Sequence, residues 1–200
     1  MTSSIQGFVL IGGRSSRMGT DKAALIIDGQ TLIQRVTTAL SSITSSIRLV
    51  GNKSQPTDEF QIVLDRYEQW GALGGLHAAL SVCGAEWAAV VACDLPFVTS
   101  ELFERLANSR EDFEAVAPIQ RDKIPQPLCS LYRIDPCLSK ATELIESGER
   151  RPIALLQSVR TRWISFDQLS DLEGADHFFD NINTPEDYMR AQSERSQLPR

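Results

Sequence analysis

The stretch Gly7–Leu25, "GFVLIGGRSSRMGTDKAAL", decides how this 200-residue chain is read. The apolar run Phe8–Ile11 has the character of a buried strand. It breaks into Gly12-Gly13, and a polar loop with Arg14, Arg17 and Lys22 follows before apolar sequence returns. Paired glycines let backbone N–H groups approach a ligand with no Cβ in the way. Successive N–H groups in a turn form an anion-binding concavity, and the cations add charge-assisted bonds to phosphate oxygens. A triphosphate is the natural occupant. The P-loop and the dinucleotide fingerprint are both excluded, because neither G-x-x-x-x-G-K-[ST] nor G-x-G-x-x-G is present. A plain tight turn with solvated cations is the competing reading. The loop's place after a central strand, where open α/β sheets bind ligands, favours the ligand.

Outward from this loop, apolar runs alternate with helical spacing. Thr31–Leu40 is predicted as a helix from Leu32, Ile33, Val36, Ala39 and Leu40. Ile47–Val50 and Ile62–Leu64 are short strands, and Leu73–Cys83 is a helix. Trp87–Cys93 is a continuous apolar run, as expected of a strand covered on both faces. Ser100–Asn108 is a helix with Ser100 as its N-cap. Ala115–Pro118 and Cys129–Tyr132 are strands around the polar stretch "IQRDKIPQPL". Asp135–Ser147 is a helix, Arg162–Phe166 a strand, and Thr184–Gln192 a closing helix. The order argues for an α/β domain with a mainly parallel, mixed sheet and helices on both faces. The domain is expected over residues 1–191, with a disordered tail at 192–200.

"WAAVVACDLP" ends its strand in Asp94, and Leu95-Pro96 stops further pairing. This carboxylate should share the sheet edge with the glycine loop. There it suits Mg²⁺, which takes one or two carboxylates plus phosphate oxygens and water; a turn aspartate is the even alternative. "FFDNINTPEDY" carries a strong helix start in Thr184, Pro185 and Asp187. That start leaves Asn181 and Asn183 unexplained, and either amide could complete a metal shell beside Asp94 or hold an acceptor phosphate.

Composition bounds the rest. A net charge of −6 argues against a surface that coats nucleic acid. Two histidines and four cysteines without C-x-x-C spacing argue against zinc and for a reducing compartment. No signal peptide or apolar run of about 18 residues is read, so the expectation is a cytoplasmic protein.

With these segments in hand, the chain resembles the molybdenum cofactor guanylyltransferase family. Leu10–Lys22 is similar to that family's L-A-G-G-x-S-x-R-M-G-x-D-K, "GALGGL" at Gly71–Leu76 to G-P-L-A-G-L, and "CDLP" at Cys93–Pro96 to C-D-x-P. "QPLCSLY", "GERR" and "NINTPED" also have counterparts, in family order, from Gly7 to Tyr188. Ile11 and Ala72 depart from the usual alanine and proline.

The resemblance implies a Rossmann-like nucleotidyltransferase fold. It implies transfer of GMP from GTP to the terminal phosphate of molybdopterin, with Mg²⁺ as cofactor and pyrophosphate released. Asp94, Lys22 and Arg17 would carry the chemistry, with Asp94 as the metal ligand. Leu10, Ile11, Gly12, Gly13, Lys22, Asn52, Asp65 and Asp94 would bind GTP. Gly75, Asn181 and Asn183 would lie on the pterin-phosphate side. A monomer is expected, with transient contacts to cofactor-synthesis proteins and target apoenzymes. The rival readings are a cytidylyltransferase on the same pterin, a sugar-1-phosphate nucleotidyltransferase and a non-catalytic delivery protein. His77 receives no role, and Arg150-Arg151 is read as a solvated pair.

Overall fold

The computed structural model describes residues 4–11, 25–51, 60–67 and 70–195. In chain order these form β1 (Ile5–Leu10), β2 (Ile26–Ile27), β3 (Gln30–Thr31), α1 (Leu32–Leu40), β4 (Ile47–Val50), β5 (Ile62–Val63), α2 (Gly71–Val82), β6 (Trp87–Ala92) and α3 (Ser100–Asn108). There follow β7 (Ala115–Pro118), β8 (Cys129–Arg133), α4 (Ile134–Glu146), α5 (Ile153–Ser158), β9 (Thr161–Ile164) and α6 (Pro185–Arg195).

Seven strands make one sheet in the order β5-β4-β1-β6-β8-β7-β9. Pairing is parallel between β1 and β4, β1 and β6, β4 and β5, and β7 and β9. Strand β8 runs antiparallel to both β6 and β7. The expected mixed, mainly parallel sheet is therefore present.

The apolar strands sort their side chains by period two, because successive residues of a strand point to opposite faces. Val9 and Ile11 of the first strand and its exit, with Ala89, Val91 and Cys93 from β6 and its exit, pack into the core under α1 and α3. Phe8, Leu10, Ala88 and Val90 pack with Leu73 and Leu76 of α2, and with Cys137 and Ala141 of α4. Each large side chain buried this way contributes about 1.5–3 kcal/mol. All six residues of β6 are buried, which is why its sequence shows no polar alternation. Tyr132 of β8 is fully buried, and its hydroxyl donates to the Pro127 carbonyl at 2.6 Å. That bond ties down the end of the polar excursion between β7 and β8.

Several local expectations are corrected. The N-cap of α3 is Thr99, whose hydroxyl accepts from Leu102 N–H, and Ser100 is the first helical residue. Helix α6 continues to Arg195, past Gln192, so the first residues expected in a disordered tail are helical; residues 196–200 lie outside the described residues. The hairpin β2–β3 was not anticipated. Its turn is Asp28-Gly29, both at positive φ (50° and 77°), and Asp-Gly between short apolar flanks is a strong hairpin signal.

Cys93, Cys129 and Cys137 are buried thiols, and Cys83 is a half-buried one. Burial pushes the Cys137 thiol up to about 12 and raises Cys129 as well. Because the thiolate is the reactive form, a thiol reagent at neutral pH should label Cys83 first, and all four only after unfolding. Peptide mapping of partially labelled protein checks this, and prompt labelling of Cys129 or Cys137 would contradict the closed core.

Candidate active site

The carboxyl ends of four strands meet on one rim. Cys93 N–H donates to the Leu10 carbonyl at 3.0 Å, Ile11 N–H to Val50 at 2.9 Å, and Gly51 N–H to Val63 at 3.0 Å. These bonds carry the pairing of β6, β1, β4 and β5 to the edge of the sheet. Leu10, Ile11, Asp65 and Asp94 consequently lie at the same edge of the sheet, with β4 between the exits of β5 and β1. The residue that leads into the glycine loop and the Asp94 turn therefore leave the sheet at the same edge.

Asp94 is half-buried in the turn after β6. Its carbonyl accepts a bond from Ile182 N–H at 3.0 Å, which brings the "NINTP" segment back across the rim. Ile182 is buried with Ile27, Leu32 and Ala191, while Asn181 and Asn183 on either side of it are exposed. The segment is held from below by apolar packing and presents an amide on each flank. Downstream, Thr184 and Asp187 form the expected reciprocal cap. Asp187 N–H donates to Thr184 Oγ1 at 3.2 Å and Thr184 N–H to Asp187 Oδ2 at 2.9 Å. Asp187 Oδ2 also accepts from Asn183 N–H at 3.1 Å. These bonds hold the Asp187 carboxyl below its ordinary value against the opposing effect of burial, which is the largest single contribution.

Arg35 was not singled out in the sequence. Its Nε donates to the Pro96 carbonyl at 3.0 Å, and its Nη1 lies 3.4 Å from the Ile27 carbonyl and 3.6 Å from Asp28. It thereby joins the turn that carries Asp94 to the β2–β3 hairpin.

Gly75 sits where α2 crosses β1. An added Cβ would come 3.3 Å from Leu10 Cδ2, so glycine here lets the helix lie close on the strand that enters the site. Asp65 Oδ1 accepts from Tyr67 N–H at 2.8 Å.

The family-model description "MobA-like NTP transferase domain" matches residues 7–161. The chain belongs to that family. Within the MobA-like family, it is 34% identical over 187 residues to a probable molybdenum cofactor guanylyltransferase of Carboxydothermus hydrogenoformans, covering 90% of this chain and 91% of that one. It is 31% identical over 185 residues to the molybdenum cofactor guanylyltransferase of Vibrio vulnificus, covering 90% of each. Among solved structures, molybdopterin-guanine dinucleotide biosynthesis protein A from Archaeoglobus fulgidus superposes with a TM-score of 0.80 at 26% identity, covering 96% of this chain and all of the other.

Gly12, Gly13, Arg17, Lys22 and Asn52 of this MobA-like chain lie outside the described residues. His77 is a packed residue between helices. It is 6% exposed, its Nε2 is 3.1 Å from Thr142 Oγ1 on α4, and its Nδ1 is 3.3 Å from Ser81 Oγ. Burial lowers its pKa, with Asp65 opposing, so the neutral ring is favoured. Arg151 is paired to Glu149 at 2.7 Å, and the Arg151 hydrogen bond holds the Glu149 carboxyl down to about 2. The Arg150 guanidinium stands 5.0 Å from the Trp70 ring centroid. Both arginines are nonetheless exposed, in keeping with the solvated reading.

Among the described residues no group of three or more His, Cys, Asp or Glu side chains converges on a point. Among the described residues at this edge, Asp94 has a carboxylate, and Asn181 and Asn183 lie on either side of Ile182, whose N–H is bonded to the Asp94 carbonyl. All are hard oxygen donors. Among the described residues this set is too small to cage an ion, and its oxygen donors fit Mg²⁺ delivered with the phosphates of a substrate.

Proposed function

We propose that this chain transfers GMP from GTP to the terminal phosphate of a molybdopterin-type cofactor, giving the guanine dinucleotide cofactor and pyrophosphate. The observation that carries this reading is the shared rim. Strand β1, which leads into the glycine loop, is hydrogen-bonded to β6, whose exit turn carries Asp94. The Asn181–Asn183 segment is bonded to Asp94 in turn. The names of the relatives supply the substrates.

In this reading a non-bridging oxygen of the acceptor phosphate attacks the α-phosphorus of GTP. The new P–O bond forms as the bond to pyrophosphate breaks, so no protein nucleophile is needed. Phosphate oxygens are already ionised, and no general base is required. The difficulty is the approach of two anions. Arg17, Lys22 and the loop amides offset that repulsion, and Asp94 orients the nucleotide end. Bound Mg²⁺ would supply charge neutralisation of the phosphate oxygens, held by Asp94. Leu10, Ile11, Asn52 and Asp65 line the nucleoside, and Gly75, Asn181 and Asn183 face the acceptor. The protein acts in the cytoplasm as a monomer. No helix among the described residues is long and apolar enough to cross a membrane.

Incubation with molybdopterin, Mg²⁺ and each nucleoside triphosphate in turn tests the reading. Pyrophosphate and a guanine dinucleotide product are expected with GTP. Preference for CTP would make it a cytidylyltransferase, and no product with any nucleotide would leave a delivery protein. Lys22→Ala is expected to weaken GTP binding by about tenfold or more, since it removes a charge-assisted phosphate contact. Unchanged affinity by titration calorimetry would remove Lys22 from the triphosphate site.

A further inference from the structure

Arg35 of α1 bridges two parts of the site that come from distant stretches of the chain. Its Nε donates to the Pro96 carbonyl at 3.0 Å, and its guanidinium stands 5.9 Å from the Phe97 ring centroid. On the other side, Nη1 lies 3.4 Å from the Ile27 carbonyl and 3.6 Å from Asp28 Oδ2. Pro96 and Phe97 follow Asp94 in the exit from β6. Ile27 and Asp28 belong to the β2–β3 hairpin, on which the chain returns from the glycine loop at Leu25. The Arg35 side chain is only 11% exposed, so it is built into the fold between the two.

The Asp94 turn is gripped from outside. Within it, Leu95 N–H reaches the Ala92 carbonyl at 3.3 Å and Val98 N–H the Leu95 carbonyl at 3.5 Å, both beyond the usual range of about 2.7–3.2 Å. Pro96 has no N–H to contribute. The bonds that reach the turn from other elements are shorter: Arg35 to Pro96 at 3.0 Å, and Ile182 N–H to the Asp94 carbonyl at 3.0 Å. The Tyr188 hydroxyl donates to the Ile26 carbonyl at 2.6 Å, so the segment 182–188 joins the hairpin to the turn a second time. Arginine suits the first bridge because its guanidinium holds several donors in one rigid plane, whereas lysine offers one flexible point charge.

We propose that Arg35 is a positioning residue that sets the spacing between the Asp94 carboxylate and the cationic glycine loop, and so holds the bound triphosphate in its reacting position. This rests on the readings of Asp94 and of the loop under Proposed function. Misplacement of a reacting group by about 1 Å is enough to lower a rate by about 10²-fold.

The test is a double-mutant cycle of Arg35→Gln and Asp94→Asn. Single-turnover rates are measured with enzyme in excess, which resolves the slow Asp94 variants. Titration calorimetry with the nucleotide counts the binding-competent sites. Arg35→Gln is expected to lower the rate per competent site by about tenfold or more, while affinity for the nucleotide changes by less than about fivefold. In the Asp94→Asn background the same change should lower the rate by less than about twofold, because coupled residues do not add. A merely structural role reduces the number of competent sites and the thermal unfolding temperature and leaves the rate per site unchanged; that result overturns the proposal. An equal loss of rate with and without the Asp94 carboxylate also overturns it.

Arg35→Lys keeps the charge and gives up the planar array, so it should not restore the rate. Wild-type turnover in this variant means that the charge alone suffices and overturns the proposal. If Arg35→Gln does not fold, Arg35→Lys takes its place in the cycle with the same coupling expected. The cycle uses whichever nucleoside triphosphate the wild type turns over, so it is scored even if GTP is not the substrate and the guanylyl reading falls alone. A slow Asp94→Asn with an unimpaired Arg35→Gln removes the proposal alone. A wild-type rate in Asp94→Asn, or no turnover of any nucleotide by the wild type, removes both.

Discussion

Asp94→Ala is expected to lower turnover with GTP and molybdopterin by at least about 10²–10³-fold, the size of effect that follows loss of one preorganised electrostatic group. The site's architecture makes this a clean experiment. Asp94 is tied into the fold through its backbone, by the bond from Ile182 N–H to its carbonyl, and alanine retains that carbonyl. The buried residues on either side, Cys93 and Leu95, are unchanged. Thermal unfolding measured alongside separates loss of turnover from loss of the fold. Activity within about threefold of wild type would remove Asp94 from the reaction, whatever its place on the rim.

Chelation of divalent ions is expected to abolish turnover by a comparable or larger factor, with recovery on addition of Mg²⁺. Aqueous Mg²⁺ gives up its water reluctantly and is typically bound by one or two carboxylates plus substrate phosphates. Since no three-ligand group converges among the described residues, the protein without nucleotide should bind Mg²⁺ weakly, and tight association should appear only with GTP present. Calorimetry with and without GTP separates the two states. Full turnover in excess chelator would exclude the metal. Micromolar binding without nucleotide would mean a caged site that the described residues do not contain.

The parallel skeleton was legible because a strand covered on both faces must be apolar throughout, as Trp87–Ala92 is. Asp94 was legible because a carboxylate immediately after such a run, followed by Leu-Pro, has nowhere to go but the sheet edge. The "NINTPED" cap was legible because its partners lie within four residues of one another. What escaped depended on short flanks or long reach. The β2–β3 hairpin has strands of two residues each, too few to show alternation, although Asp28-Gly29 marked its turn. Helix α5 covers six residues, too short to display a helical stripe. Arg35 reaches a carbonyl 61 positions away, a juxtaposition that does not exist until the sheet has formed.

The bond between Ile182 and Asp94, with the Tyr188 hydroxyl donating to the Ile26 carbonyl 162 positions away, has a consequence for biosynthesis. The last strand of the sheet ends at Ile164, so a chain emerging from the ribosome can complete its scaffold before residues 181–188 are available to close on Asp94 and the hairpin. Premature termination in that interval would yield a product with most of its core and an unfinished edge beside Asp94. Reporter fusions that replace the final helix would inherit the same defect.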